Sequence, residues 1–246
     1  MPNPDEKTYA LFSNPINKKI ISQLESKGAK VFRFPPLETK KIILDEKTIA
    51  DIENLDVFDW IIFPDVLTVD YFLQILGENE IDLFEMDSVQ VCALGEAVAD
   101  RLRFVQLHAD VIPTSVEAAS IFLALSDYVG KDEFSELKFL LPKGTLQEYE
   151  IKEKLVECGA NVFELPVYQA HISRTDEIAR LKILLKGGAI DEFIFSSATD
   201  LIALRYYFDN DPISITLSEI NVSAVDKAMF QTLKEYDLRA DYFRLK

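Results

Sequence analysis

Short apolar runs alternate with amphipathic stretches along the whole chain, and the alternation repeats itself. Residues 8–37 (TYALFSNPINKKIISQLESKGAKVFRFPPL) predict a strand, a helix closed by Gly28 and a second strand ending at Pro35. Residues 138–168 (KFLLPKGTLQEYEIKEKLVECGANVFELPVY) predict the same unit, with Gly159 and Pro166 in the matching places. Ile20 and Leu24 in the first helix, and Ile151 and Leu155 in the second, keep the i, i+4 spacing of a buried stripe. Gly28 and Gly159 fall where a helix end favours a left-handed residue. They stand 131 positions apart (159 − 28).

Two further units keep nearly the same spacing. Asp59-Trp60-Ile61-Ile62-Phe63 resembles Asp191-Glu192-Phe193-Ile194-Phe195, and each leads into a helix, one bearing Val69, Phe72 and Leu76 and the other Leu201, Leu204 and Phe208. Val89–Gly95 with a helix through Leu102 matches Ile220–Asp226 with a helix through Leu233. One such match arises easily by chance; three in one order at one spacing indicate duplication. Strands that are short and continuously apolar, alternating with helices, predict parallel sheets covered on both faces. The fold class is therefore α/β, with two similar domains, each a parallel sheet flanked by helices. The domains can follow one another, as 1–125 and 126–246, or one can be inserted into the other where Pro35-Pro36 and Pro166 punctuate the repeat. Outside the repeat, Thr114-Ser115-Val116-Glu117 predicts a capping box opening a helix over Ala118–Tyr128.

Composition narrows the function. With 246 residues, 48% of them hydrophobic, there is material for two cores, and 8 Gly and 10 Pro leave little for long linkers. The formal net charge of −16 disfavours nucleic acid. A polyanionic small ligand would need a local nest of donors. No run approaches the roughly 18 apolar residues of a membrane span, and Met1–Lys7 lacks the apolar stretch of a secretory leader, so no membrane association and a cytoplasmic location are expected. Cys92 and Cys158 sit in apolar neighbourhoods and are expected to be reduced core thiols. Two cysteines with His108 and His171 give no metal-ligand spacing, so no metal site is expected. Acidic stretches such as Asp82–Asp87 are expected to be solvated.

Several segments resemble the uroporphyrinogen-III synthase family over nearly the whole chain. Phe139-Leu140-Leu141-Pro142-Lys143-Gly144 is similar to the family's strand ending in Pro-Arg-Gly, and Gly159–Val162 with Leu165–Tyr168 to its Gly-Ala-x-Val…Pro-Val-Tyr stretch. Phe195-Ser196-Ser197 resembles its Phe-Thr-Ser motif, and Ala93–Ala99 its Ile-Gly-x-x-Thr-Ala motif. The resemblance implies an inserted domain joined through a two-stranded linker, with residues 1–36 plus 170–246 as one domain and 37–169 as the other. It implies a monomer that uses no cofactor and acts in the cleft between domains. The implied substrate is a small polycarboxylate, the linear tetrapyrrole hydroxymethylbilane. It would lose water, invert its terminal ring through a spiro intermediate and close to uroporphyrinogen III. A catalytically degenerate tetrapyrrole- or anion-binding regulatory protein of the same fold is the alternative.

The implied substrate closes by itself without inversion, so the task the resemblance implies for the protein is orientation. Backbone amides at strand ends and helix N-termini, with Ser and Thr hydroxyls, can hold carboxylates without adding to the net charge. The resemblance places Tyr168 as the general acid that protonates the departing hydroxyl. The resemblance implies substrate-binding roles for Ser13, Gly95, Lys143, Gly144, Ser196 and Ser197. Each also has a structural use: Ser197 as a helix N-cap, Gly95 as a tight turn, Lys143 as a solvated loop residue. Arg205 and Lys227 are weaker candidates. The chain departs from the family at five positions: Asn14 stands where the family often has an arginine, Asp65 replaces a hydroxyl, Val98 a threonine, and Asp226 and Met229 a glycine and a threonine.

Overall fold

The structure is a computed structural model that describes residues 7–130, 133–145, 149–171, 175–208 and 212–244. Residues 1–6, which bear on the expected lack of a secretory leader, lie outside the described residues. The chain opens with β1 (Thr8–Phe12), α1 (Asn17–Ser26) and β2 (Lys30–Phe34), then β3 (Glu38–Lys41) and α2 (Glu46–Ile52). There follow β4 (Trp60–Phe63), α3 (Val66–Glu78), β5 (Gln90–Ala93), α4 (Glu96–Phe104) and α5 (Ala118–Val129). Next come β6 (Lys138–Gly144), α6 (Glu150–Glu157), β7 (Asn161–His171) and α7 (Thr175–Lys186). The chain continues with β8 (Glu192–Phe195), α8 (Ala198–Tyr207), α9 (Ile213–Thr216), β9 (Asn221–Ala224), α10 (Lys227–Glu235) and β10 (Ala240–Tyr242).

These elements form two compact units, one from the residues up to Glu38 together with those from His171 onward, the other from Thr39–Ala170. The first holds a sheet in the order β10-β9-β8-β1-β2 and the second a sheet in the order β3-β7-β6-β4-β5. The pairings β10–β9–β8–β1–β2 and β5–β4–β6–β7 are parallel. The α/β architecture expected from the pattern is the one found. Ile61, Ile62, Phe63, Phe193, Ile194 and Phe195 are buried at 0% exposure because their sheets are covered on both faces. The apolar stripe of α3 (Val69, Phe72, Ile75, Leu76) is buried to nearly the same degree, each side chain contributing roughly 1.5–3 kcal/mol.

The duplication is visible in the register. Trp60 and Ile61 of β4 lie opposite Phe139 and Leu140 of β6, just as Glu192 and Phe193 of β8 lie opposite Tyr9 and Ala10 of β1. Even the short β10 has a counterpart, an isolated bridge between Cys92 and Val111 beside β5. In sequence, one copy of the repeat runs β1, β2, β4, β5 and the other β6, β7, β8, β9. In space, β1–β2 join β8–β10, and β4–β5 join β6–β7. Each sheet takes its two halves from different copies.

Three local expectations are corrected. Pro166 does not end its strand: β7 runs on to His171, and the register with β6 skips a residue, from Lys143 opposite Pro166 to Gly144 opposite Tyr168. A proline lacks the ladder donor, and an irregularity of this kind accommodates it. The capping box at Thr114 is absent; α5 starts with Glu117 as its N-cap, and the Thr114 hydroxyl meets Ser120 Oγ at 3.1 Å. Ser120, in the first turn, takes the backward-reaching role by accepting from the Ser115 amide. Cys92 is buried as expected, but Cys158 is exposed, because it is the C-cap of α6 and faces away from the core.

Candidate active site

In an open parallel sheet, ligands bind at the carboxyl ends of the strands, where the chain order reverses direction. In the first unit that point lies between β1 and β8. In the second it lies between β4 and β6. Most of the sequence-derived candidates end strands at these two points.

At the first point β1 ends in Ser13-Asn14 and β8 in Ser196-Ser197. Ser13 is exposed, and its amide donates to the Phe34 carbonyl at 2.7 Å. Asn14 crosses the reversal point, donating to Asp200 Oδ1 at 2.9 Å and Ser196 Oγ at 3.3 Å. Its own carbonyl oxygen accepts the Asn17 amide at the start of α1 (2.8 Å). Asp200 Oδ2 accepts from both the Ser196 amide (3.1 Å) and the Ser196 hydroxyl (2.9 Å). Burial pushes the Asp200 carboxyl above the usual range, against the hydrogen bonds from Ser196, Asn14 and Ser197 that pull it down. Asn17 is fully buried, and its Oδ1 has no hydrogen-bond partner among the described residues. Beside Ser13 and Asn14 opens a groove of about 600 Å³, lined also by Lys18, Ser22, Glu25 and Arg33.

At the second point β4 leads through Pro64 to Asp65, the N-cap of α3. Asp65 Oδ1 accepts the Thr68 amide at 2.8 Å, and the Asp65 amide donates to Thr68 Oγ1, completing a capping box. Oδ2 accepts the phenols of Tyr149 (3.3 Å) and Tyr168 (3.4 Å). Tyr168 is wholly buried, and its ring stacks on Tyr71, whose hydroxyl meets Thr39 Oγ1 at 2.8 Å. The Gly144 end of β6 adjoins it, since the Thr145 amide donates to the Tyr168 carbonyl. Gly95 opens α4 with φ +103°, and the preceding Leu94 amide donates to the Phe63 carbonyl, holding this turn next to the Asp65 turn.

The two points are related by an exchange. Asp65 is an N-cap acid with a hydroxyl, Thr68, at the third helical position; Ser197 is the N-cap residue of α8, its hydroxyl making no cap bond, with an acid, Asp200, at the third. Each unit thereby keeps one buried carboxylate at this place, 4% exposed in both cases. The remaining departures from the family are also structural. Asp226 caps α10 by accepting the Met229 amide (2.8 Å), and Val98 and Met229 are buried in the first turns of their helices.

Lys143 is not a solvated loop residue. It is 7% exposed and donates to Glu164 Oε1 at 2.9 Å. Lys152 meets the other oxygen of Glu164 at 2.5 Å. Burial raises the Glu164 carboxyl, but the hydrogen bonds from Lys152 and Lys143 outweigh it and hold the group below its usual range. His108, His171 and Lys227 are exposed, and Arg205 is half-buried. Among the described residues no group of three or more His, Cys, Asp or Glu side chains could hold a metal ion, and no helix is long and apolar enough to cross a membrane. Sequence reasoning missed Asp200, Asn14, Tyr149 and Glu164. For Asp200 a signal was present: an acid three residues after a strand-ending serine is placed at a helix N-terminus.

Two open parallel sheets, each with a point where strand order reverses, define a class, the doubly wound α/β proteins. Within it, the chain belongs to the uroporphyrinogen-III synthase family: the family model described as Uroporphyrinogen-III synthase HemD matches residues 18–244. A uroporphyrinogen-III synthase of Chlorobaculum parvum is 21% identical over 222 residues, covering 90% of this chain and 85% of that protein. A porphyrin biosynthesis protein HemD of Ruminiclostridium josui is 20% identical over 220 residues, 89% of this chain. The match spans 42% of the Ruminiclostridium josui protein, under half of its length. A solved Thermus thermophilus uroporphyrinogen III synthase superimposes with a TM-score of 0.65 at 18% identity, over 96% of this chain and 92% of that one. A mutant uroporphyrinogen III synthase from the same organism gives 0.66 at 17% identity, over 96% and 91%. These structural likenesses establish the fold.

Proposed function

We propose that the chain is a uroporphyrinogen-III synthase, closing hydroxymethylbilane with inversion of its terminal ring and release of water. The observation that carries this is the family match over residues 18–244. The placement of Ser13, Gly95, Gly144, Ser196 and Ser197 in strand-end turns supports it. In this reading the turns take up substrate carboxylates through hydroxyls and amides. Gly95 matters because α4 has no side-chain cap, which leaves its first amides facing a ligand. Tyr168 supplies the proton with which the terminal hydroxyl departs as water. At rest its phenol is directed at Asp65, so its hydroxyl turns to the substrate when the site is filled. Lys143 serves through Glu164, holding the end of β6 and the bulged stretch of β7 together.

The test is product analysis with enzymatically generated hydroxymethylbilane. Formation of isomer III above the spontaneous background is expected; isomer I alone sinks the proposal. Tyr168→Phe should lower kcat about 100-fold, within the usual range for removing a general acid. An unchanged kcat would take that role from Tyr168. Tight binding of tetrapyrroles without turnover would instead identify a non-catalytic binding protein.

A further inference from the structure

The two serines expected to grip a ligand carboxylate already grip one. The Ser196 hydroxyl donates to Asp200 Oδ2 at 2.9 Å, and the neighbouring Ser197 side chain helps hold this carboxyl down. Asn14 and the Ser196 amide complete the shell, at 2.9 and 3.1 Å. A serine hydroxyl has a single proton to give. While Asp200 is ionised, Ser196 therefore offers an approaching anion only lone pairs, and Asp200 adds like-charge repulsion.

We propose that Asp200 is an internal occupant of the Ser196–Ser197 carboxylate receptor, which gives up the Ser196 hydroxyl proton when an external carboxylate binds and one proton is taken up. The proposal rests on the functional reading above, which supplies the polycarboxylate. The proton comes from solvent and forms an O–H bond on Asp200. That hydroxyl then donates to Ser196 Oγ, and the Ser196 proton turns to the external carboxylate. No other bond is made or broken.

The surroundings of Asp200 suit such an exchange. From β1 and its loop comes Asn14, and from β8 and its turn come Ser196 and Ser197, all uncharged. The short α9, packed on α8, has no titratable side chain. The titratable groups of β8 and β1, Glu192 and Tyr9, lie at the opposite ends of those strands, where Glu192 meets Lys7 and Ser223. On α8 itself, Tyr207 donates to the Pro35 and Pro36 carbonyls, and Arg205 lies at the helix's far end. The carboxylate is only 4% exposed; nearby charges are Lys18 of α1, which lines the groove beside Asn14, and, after β9, Asp226, which caps α10, and the exposed Lys227.

The experiment is calorimetric titration of the full chain with uroporphyrin III, a stable octacarboxylate, in buffers of different ionisation enthalpy. Above the Asp200 pKa the wild type should take up close to one more proton per ligand than Asp200→Asn. Its affinity should fall about tenfold per pH unit above the Asp200 pKa, and that of the variant by less. Ser196→Ala removes the shared hydroxyl without touching the acid and should likewise reduce the uptake. Equal proton uptake and equal pH slopes in all three proteins would overturn the proposal, as would failure of uroporphyrin III to bind the wild type. Either failure leaves the isomer assay to judge the functional reading by itself.

Discussion

Asp200 and Asp65 show how one side chain can be structural and still set the terms for ligands. The folded Asp200 carboxyl titrates above its ordinary value of 3.8, because burial outweighs its hydrogen bonds. Its protonated form is thus the one the fold favours, and stability declines as pH rises from about 4 through the folded pKa. Asp200→Asn should remove that decline, so its stability relative to wild type improves between about pH 4 and pH 7. Urea denaturation at both pH values checks the sign; a variant equally affected at both would refute it. Asp65 accepts an amide and two phenols. Asp65→Ala should cost roughly 1–3 kcal/mol, from the lost cap and the lost hydrogen bonds of the Tyr149 and Tyr168 phenols, as read by the denaturation midpoint. Ser13 and Ser196 were legible in the sequence as polar residues ending apolar strands, and Tyr168 by family resemblance, although it lies inside β7. Their partners were not. Asn14 and Asp200 are 186 positions apart, and Asp65 and Tyr168 are 103 apart; only the sheet order joins them.

Helix ends follow one pattern with unequal chemistry. After α1 and α6, Gly28 and Gly159 adopt φ +82° and +88°, and the next amides, of Ala29 and Ala160, return to the Leu24 and Leu155 carbonyls at 3.1 Å. After α4 and α10 the same turn is made by Gln106 (φ 65°) and Asp237 (φ 54°), with Leu107 and Leu238 returning to Leu102 and Leu233 at 3.0 Å. A Cβ is strained in this region by about 1–2 kcal/mol, part of which glycine's greater unfolded freedom cancels. Gln106→Gly should therefore stabilise by roughly 0.5–1 kcal/mol, and Gly159→Ala should destabilise by about 1 kcal/mol. In the latter an added Cβ would meet nothing closer than Ser135 at 3.5 Å, so strain alone acts. Melting temperatures of the two variants should move in opposite directions. The glycine-marked ends were readable from sequence; Gln106 and Asp237 were not, because neither residue type announces a left-handed turn. The Thr114 box failed for a related reason. A short motif states which bonds are possible, while packing of Ala118, Ile121 and Leu125 decides where the helix begins.

Taken whole, the chain is a tandem repeat whose copies trade halves. Residues up to Gly130 supply β1 and β2 to one sheet and β3, β4 and β5 to the other; the remainder supplies β8–β10 and β6–β7. A chain split after Gly130 should yield two fragments that copurify when expressed together, while neither melts cooperatively alone. Independent folding of either fragment would show that pairing within a copy competes with pairing between copies. Alternation and spacing made the strands and the duplication visible. They could not say which strands become neighbours, since both pairings satisfy the same apolar pattern.

This trading of halves imposes a schedule on synthesis. The sheet within Thr39–Ala170 has all its strands once that segment has left the ribosome. The open flank of β1, by contrast, must wait for β8, from Phe34 to Phe195 in chain order. At about 5–20 residues per second that delay is roughly 8–30 s, during which an apolar strand edge stands uncovered beside the nascent chain. Ribosome-associated chaperones would find their target there, in the first 34 residues. Slowing translation before β8 should lower the soluble yield more than slowing it after β10.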